Sequence, residues 1–199
     1  MTQDGAPGGA DVSGSQGVQL GQAILRSSES GTFPVRPDFA EYSTDAWGLP
    51  LRGSRWAPVA PESVVGPVRT QRFRIADGTM TMVSYSSAAG THGVAGRALK
   101  LYERLGGPDS GLGLPVAEDE RRQPRLWVQR FERGAIYDGG AAGKAIAVPA
   151  ETLALAGERL GLPVSPEKAI DGSDGETIQH FEQGIVTRRD GQREMWLRP

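Results

Sequence analysis

The sequence predicts an α+β chain, a tandem array of short units that each comprise a turn, a β-hairpin and one helix. Three observations predict it. Gly113-Leu114-Pro115-Val116 recurs as Gly161-Leu162-Pro163-Val164, with a weaker version in "WAPVAPE" from Trp56 to Glu62. A second signature lies downstream of each, "QRFERGAI" from Gln129, "QHFEQGIV" from Gln179 and a reduced "QRFRIADG" from Gln71. Between one unit's Phe signature and the next unit's Pro signature sits a stretch with helical spacing. The intervals Pro58 to Phe73, Pro115 to Phe131 and Pro163 to Phe181 are similar, which makes three units with the first degenerate.

The elements follow in chain order. Residues 1–17, "MTQDGAPGGADVSGSQG", contain no aromatic, Leu or Ile and cannot bury enough apolar surface to offset ordering. They are expected to form a flexible arm, or one that orders on a partner. Residues 18–55 are an extension of unclear structure: "VQLGQAIL" suits a short helix or a strand, and two prolines extend "TFPVRPDF". Residues 56–199 form the repeat domain. There, "FRIADGTMTMVSYSSAAGTHGVAG" and "FERGAIYDGGAAGKAIAV" each read as two strands around a Gly-rich turn.

Helices follow the hairpins. Ala98, Leu101, Tyr102 and Leu105 fall at i, i+3, i+4 and i+7, and Gly106-Gly107 supplies a stop. Leu153, Ala156, Gly157 and Leu160 form the corresponding face, with Pro149 suited to the first turn and Gly161 ending it. A hairpin and one helix, about 50 residues, carry too little core to stand alone. Stacked neighbours bury the faces each unit leaves open, so Pro58, Pro115 and Pro163, Gln129 and Gln179, and Gly113, Gly134, Gly161 and Gly184 recur as architecture. Phe73, Phe131 and Phe181 are the expected central plugs.

Composition narrows the function. The 199 residues carry a net charge of −2 with both signs interspersed, so no basic stripe marks nucleic acid as a partner. Cysteine is absent, which excludes disulfides, thiolate metal sites and cysteine nucleophiles. No run approaches the ~18 apolar residues that cross a bilayer, so no membrane insertion is expected. The first 25 residues lack Lys and Arg and are not expected to be a secretory leader. Cytoplasmic residence is therefore open.

Catalytic and metal chemistry is sparse. His92 sits in a Gly-rich turn, and His180 lies in the repeated strand where the other units carry Arg72 and Arg130. "GGAAGK" lacks the ending of a phosphate-binding loop. Glu132 and Glu182 are repeat equivalents, one unit apart rather than a converging pair. "AEDE" at 117–120 and "DGSDGE" at 171–176 are acidic turns; calcium at 171–176 is left open, while no metal site and no cofactor are predicted. For binding, sugar faces stack on exposed aromatics beside planar polar groups, which makes Trp127, Tyr137 and Tyr102 candidates with Arg125 and Arg130. The alternative is that these rings pack seams between units.

The chain resembles the LGFP repeat of actinobacterial cell-envelope proteins. Leu112-Gly113-Leu114-Pro115 and Leu160-Gly161-Leu162-Pro163 match its first element, with Leu in place of Phe. Gln129, Phe131, Gly134 and Ile136 match its second, as do Gln179, Phe181 and Gly184, and "ERLGG" at Glu103 to Gly107 matches its third. The resemblance implies a non-catalytic module that binds or anchors on cell-wall polysaccharide. The competing expectation is a structural subunit of a larger particle, such as a phage tail or contractile injection machine, whose arm orders on a partner chain. A hydrolase built on Glu132 or Glu182 is the third.

Overall fold

The computed structural model describes residues 24–40, 57–75, 77–139 and 143–198. The expected arm at 1–17 lies outside these, as does much of 18–55. Strand makes up 49% of the described residues and helix 15%, all sheets being antiparallel. This corrects the α+β expectation of hairpin-plus-helix units. The protein is mostly β, built of small antiparallel sheets with short helices between them.

A two-stranded hairpin comes first, β1 (Ile24–Ser28) and β2 (Gly31–Val35). The first sheet holds β3 (Ala57–Pro58), β4 (Ser63–Val65), β5 (Val68–Arg74), β6 (Met80–Ser86) and β7 (Gly90–Ala95), followed by helix α1 (Gly96–Arg104). The second is a four-stranded meander of β8 (Glu120–Gln123), β9 (Leu126–Phe131), β10 (Gly134–Gly139) and β11 (Lys144–Pro149), followed by α2 (Ala150–Ala156). The third repeats it with β12 (Lys168–Ala169), β13 (Thr177–Phe181), β14 (Gly184–Arg189) and β15 (Gln192–Leu197).

The expected hairpins β6–β7 and β10–β11 form, but the Phe signature adds a third strand to each. Short outer strands β8 and β12 complete the second and third sheets. The charge run Glu120–Gln123 is one of these strands. It is exposed at every position and so carries no apolar alternation to read. The helices are shorter than expected. Leu99, not Leu105, joins Ala98 and Tyr102 in burial on α1. Gly157, at φ +50°, follows the last residue of α2, so buried Leu160 lies beyond the helix.

The repeated residues occupy the same places in each sheet. Pro58, Pro115 and Pro163 bridge Phe73, Phe131 and Phe181, respectively. Gln71, Gln129 and Gln179 are buried, and each donates from Nε2 to the carbonyl two residues after that proline: Ala60, Ala117 and Ser165. Gln71 also donates to the Pro34 carbonyl of β2, and Gln179 to the Ala147 carbonyl of β11. At these two positions the amide therefore ties its strand to the last strand of the preceding unit. By this register the β1–β2 hairpin stands to the first sheet as β10–β11 stands to the third.

The cores lie between units. Phe73 and Val83 pack with Val35 of the hairpin and with Phe39 and Ala40 of the helical residues 37–40 that follow it. Phe131 and Ile136 pack with Met82, Val94 and the α1 residues Leu99 and Tyr102. Phe181 and Val186 pack with Ile146, Val148, Ala156 and Leu160. Each buried Phe contributes about 1.5–3 kcal/mol by removing its ring from water, and each does so only because a neighbour supplies the other wall.

Gly134 illustrates why the signature ends in glycine. A Cβ there would lie 2.5 Å from the Val148 carbonyl on the adjacent strand, with φ at +159°. Gly161 is in the left-handed region at φ +70°, and a Cβ on it would meet Glu182 Oε2 at 2.7 Å.

Candidate binding groove

The glutamates singled out for hydrolysis are turn anchors. Glu132 Oε2 accepts the Leu114 backbone N–H at 3.0 Å, and Glu182 Oε2 accepts that of Leu162 at 3.1 Å. Each carboxylate thus holds the Gly-Leu-Pro reversal of its own unit.

The aromatic and arginine candidates do not form one site. Tyr102 belongs to the core: it is fully buried, its hydroxyl donates to the Gly113 carbonyl at 2.7 Å, and its ring centroid lies 4.8 Å from that of Phe131. Burial, then the nearby Glu132 charge, drives its phenol well above the ordinary range. Tyr137 is half-buried beside Ile146 and Leu153, and burial likewise raises its phenol. Trp127 is 38% exposed with the Arg121 guanidinium 5.9 Å above its ring. It alternates with Val128 and Arg130 along β9, so Trp127 and Arg130 leave opposite faces of the sheet. Arg125 is exposed in the turn between β8 and β9.

The histidines are tied down. His92 lies 3.0 Å from Glu118 Oε1 through Nδ1 and 2.9 Å from the Ala89 carbonyl through Nε2, linking the first unit to the second. No local spacing signals this pair, because its members belong to different units. Burial, then the Glu118 charge, raises the carboxyl of neighbouring Asp119. His180 Nδ1 sits 3.3 Å from Ser165 Oγ, whose hydroxyl also accepts the His180 N–H and contacts the Pro166 carbonyl. This Ser–His contact has no carboxylate partner on the imidazole among the described residues. In the acidic turn at 171–176, Glu176 is ion-paired with Arg189. Among the described residues, no group of three His, Asp or Glu side chains is gathered for a metal.

The concave surface is elsewhere. A cleft of about 1470 Å³ runs between α1, β11 and the loop from Val164 to Lys168, drawing walls from all three units. Six cationic side chains line it, Arg97, Lys100, Arg104, Arg133, Lys144 and Lys168, against two acids, Glu103 and Glu167. Both acids are engaged: Glu103 pairs with Arg72 at 2.8 Å, and Glu167 pairs with Arg193 at 3.2 Å and accepts a hydrogen bond from Thr177. Burial alone would raise the Glu167 carboxyl; the Thr177 and Arg193 hydrogen bonds and the Arg193 and Arg188 charges outweigh it, leaving a net lowering.

Two of the cations are also engaged. Arg97 meets Asp138 at 2.7 Å, and Arg133 donates to the Gly111 and Ser110 carbonyls. Lys100, Arg104, Lys144 and Lys168 have no acidic partner among the described residues. The groove is therefore positive within a chain of net charge −2. Sequence reading missed it because the lysines come from separate units and no window clusters them. No family model matches the chain, and no curated protein matches it.

Proposed function

We propose that this chain is a non-catalytic binding module of the LGFP type that holds an acidic component of the cell envelope in the groove between its units. The observation that carries the reading is the set of four cations, Lys100, Arg104, Lys144 and Lys168, which face one cleft without acidic partners among the described residues. Like charges gathered in a concave surface repel one another, and a bound anion relieves that repulsion. The cleft crosses all three units, which suits an extended ligand better than a compact one. The LGFP resemblance supplies the envelope context and the anchoring role.

Sedimentation of the full chain with purified envelope, against increasing salt, tests this. Binding should fall steeply between low and physiological ionic strength, and Lys100→Glu with Lys144→Glu should abolish it. Salt-insensitive sedimentation that survives both reversals would remove the groove from the function.

One observation favours a second reading, in which the chain is a subunit of a larger assembly. The outer face of the third sheet exposes Trp196 at 56%, with half-buried Ile178 and Ile185 beside it. That reading expects co-purification with a partner chain, and protection of the Trp196 indole from solvent quenchers within the complex.

A further inference from the structure

The lining of the groove is of two kinds. Beside the cations it is formed by an uncharged part, its floor, of Leu101, Leu105, Ala145, Ala147, Val164 and Pro166, and among the described residues no aromatic side chain lines the cleft. Leu105 is 45% exposed and Val164 36% exposed, so this aliphatic surface is open to a ligand. Recognition of a neutral sugar draws on aromatic faces for stacking and on planar polar groups for the hydroxyls. An aliphatic floor offers a sugar little, but it gives an alkyl chain a surface on which to leave water. Charge complementarity fixes the other end of the ligand. Lys100 and Arg104 lie one turn apart on α1, Lys144 opens β11, and Lys168 opens β12. Lysine tolerates this position because its methylene stem lies along apolar surface while the ammonium group stays wet.

We infer that the groove's ligand is an anionic amphiphile, a phosphate or carboxylate head held by Lys100, Arg104, Lys144 and Lys168 with an alkyl chain laid along Leu101, Leu105 and Val164. This rests on the anionic-groove reading above and narrows it to one chemical class. The same chemistry is offered by a lipid within a membrane and by a free or polymer-attached alkyl phosphate.

Calorimetric titration of the full chain with inorganic phosphate, butyl phosphate and octyl phosphate, each below its micellar concentration, separates the parts. Affinity should rise roughly three- to four-fold per methylene over the shorter homologues, then level off once the floor is covered. Leu105→Gln with Val164→Gln changes exposed side chains only. It should flatten the chain-length dependence and leave inorganic phosphate binding intact. Lys100→Glu with Lys144→Glu should remove binding of every homologue, with unchanged circular dichroism showing that the fold persists.

Equal affinity for inorganic and octyl phosphate, both lost on charge reversal, would overturn the amphiphile and leave the anionic groove standing. Octyl phosphate binding that ignores charge reversal would sink both. An acidic peptide without an alkyl chain that displaces octyl phosphate at lower concentration would also overturn the inference. Flotation with phosphatidylglycerol vesicles, against phosphatidylcholine vesicles as control, assigns the source. Capture by the anionic vesicles in preference to monomeric octyl phosphate supports a membrane lipid, and binding of the monomer alone supports a free or polymer-borne chain.

Discussion

The second and third sheets share a register, and their outward faces have diverged. Ala135 pairs with Val148 in the second sheet, and Ile185 pairs with Trp196 at the same place in the third. Val148 is fully buried beneath Phe181 and Leu160, whereas Trp196 is 56% exposed with its indole N–H 3.3 Å from Thr187 Oγ1. One step along, Ile146 is buried and its equivalent Glu194 is exposed. The strand positions are alike; what covers them is not. A residue on such a face is chosen by its neighbour rather than by its own sheet. Conversely, Phe131 and Phe181 are alike because both sheets have a preceding unit to meet.

Four experiments break or sharpen that contrast. The largest effect belongs to the plugs: Phe181→Ala should cost about 3–5 kcal/mol in denaturant unfolding, and Phe131→Ala a similar amount. A loss below about 1 kcal/mol at either would mean that the cores between units hold little together. Next comes an exchange at the divergent position. Val148→Trp should destabilise by about 1–3 kcal/mol by overpacking, while Trp196→Val should fall within roughly 0.5 kcal/mol of wild type. Equal costs in the two directions would erase the distinction between the covered and the open face.

The third effect isolates the amide tie. Gln179→Leu leaves the Ala147 and Ser165 carbonyls without their donor, at a cost of about 1–3 kcal/mol. Hydrogen exchange should quicken in β11 and β13 before it does in β9. The smallest effect is in pH. Because the Glu167 carboxyl is held below its ordinary range, it contributes stability at neutral pH that is lost as pH falls through its folded value. Wild type and Glu167→Gln should therefore differ most near pH 7, with the gap closing as pH drops below about 4. A gap that widens on acidification would reverse the assigned sign.

How much could be read beforehand follows from the same physics. The prolines, glutamines and phenylalanines were legible because each makes the same contact in every sheet. The hairpins β6–β7 and β10–β11 were legible from their turns. The fold class was misjudged because the outer strands are short or exposed, as at Glu120–Gln123, and because Leu160 sits at helical spacing beyond a helix that has already ended. The β1–β2 hairpin was hidden by its prolines, although Val35 and Phe39 meet Phe73 as Val148 and Ala156 meet Phe181. Tyr102 was read both as part of the helix's apolar face and as a candidate for sugar stacking, because helical spacing gives the face of a residue but not the neighbour that will cover it; the structure places it in the core. Nor does the sequence display the groove, since Lys100, Lys144 and Lys168 come together only when three units stack.

The placement of the cores has one more consequence. The first and second units each carry a phenylalanine stopper at the front and, in the last strand and helix, the socket for the stopper behind. A coding stretch of one unit therefore brings both halves of a joint with it. Such a chain can lengthen by duplicating that stretch in frame, with no fresh fit to be found at the new boundary.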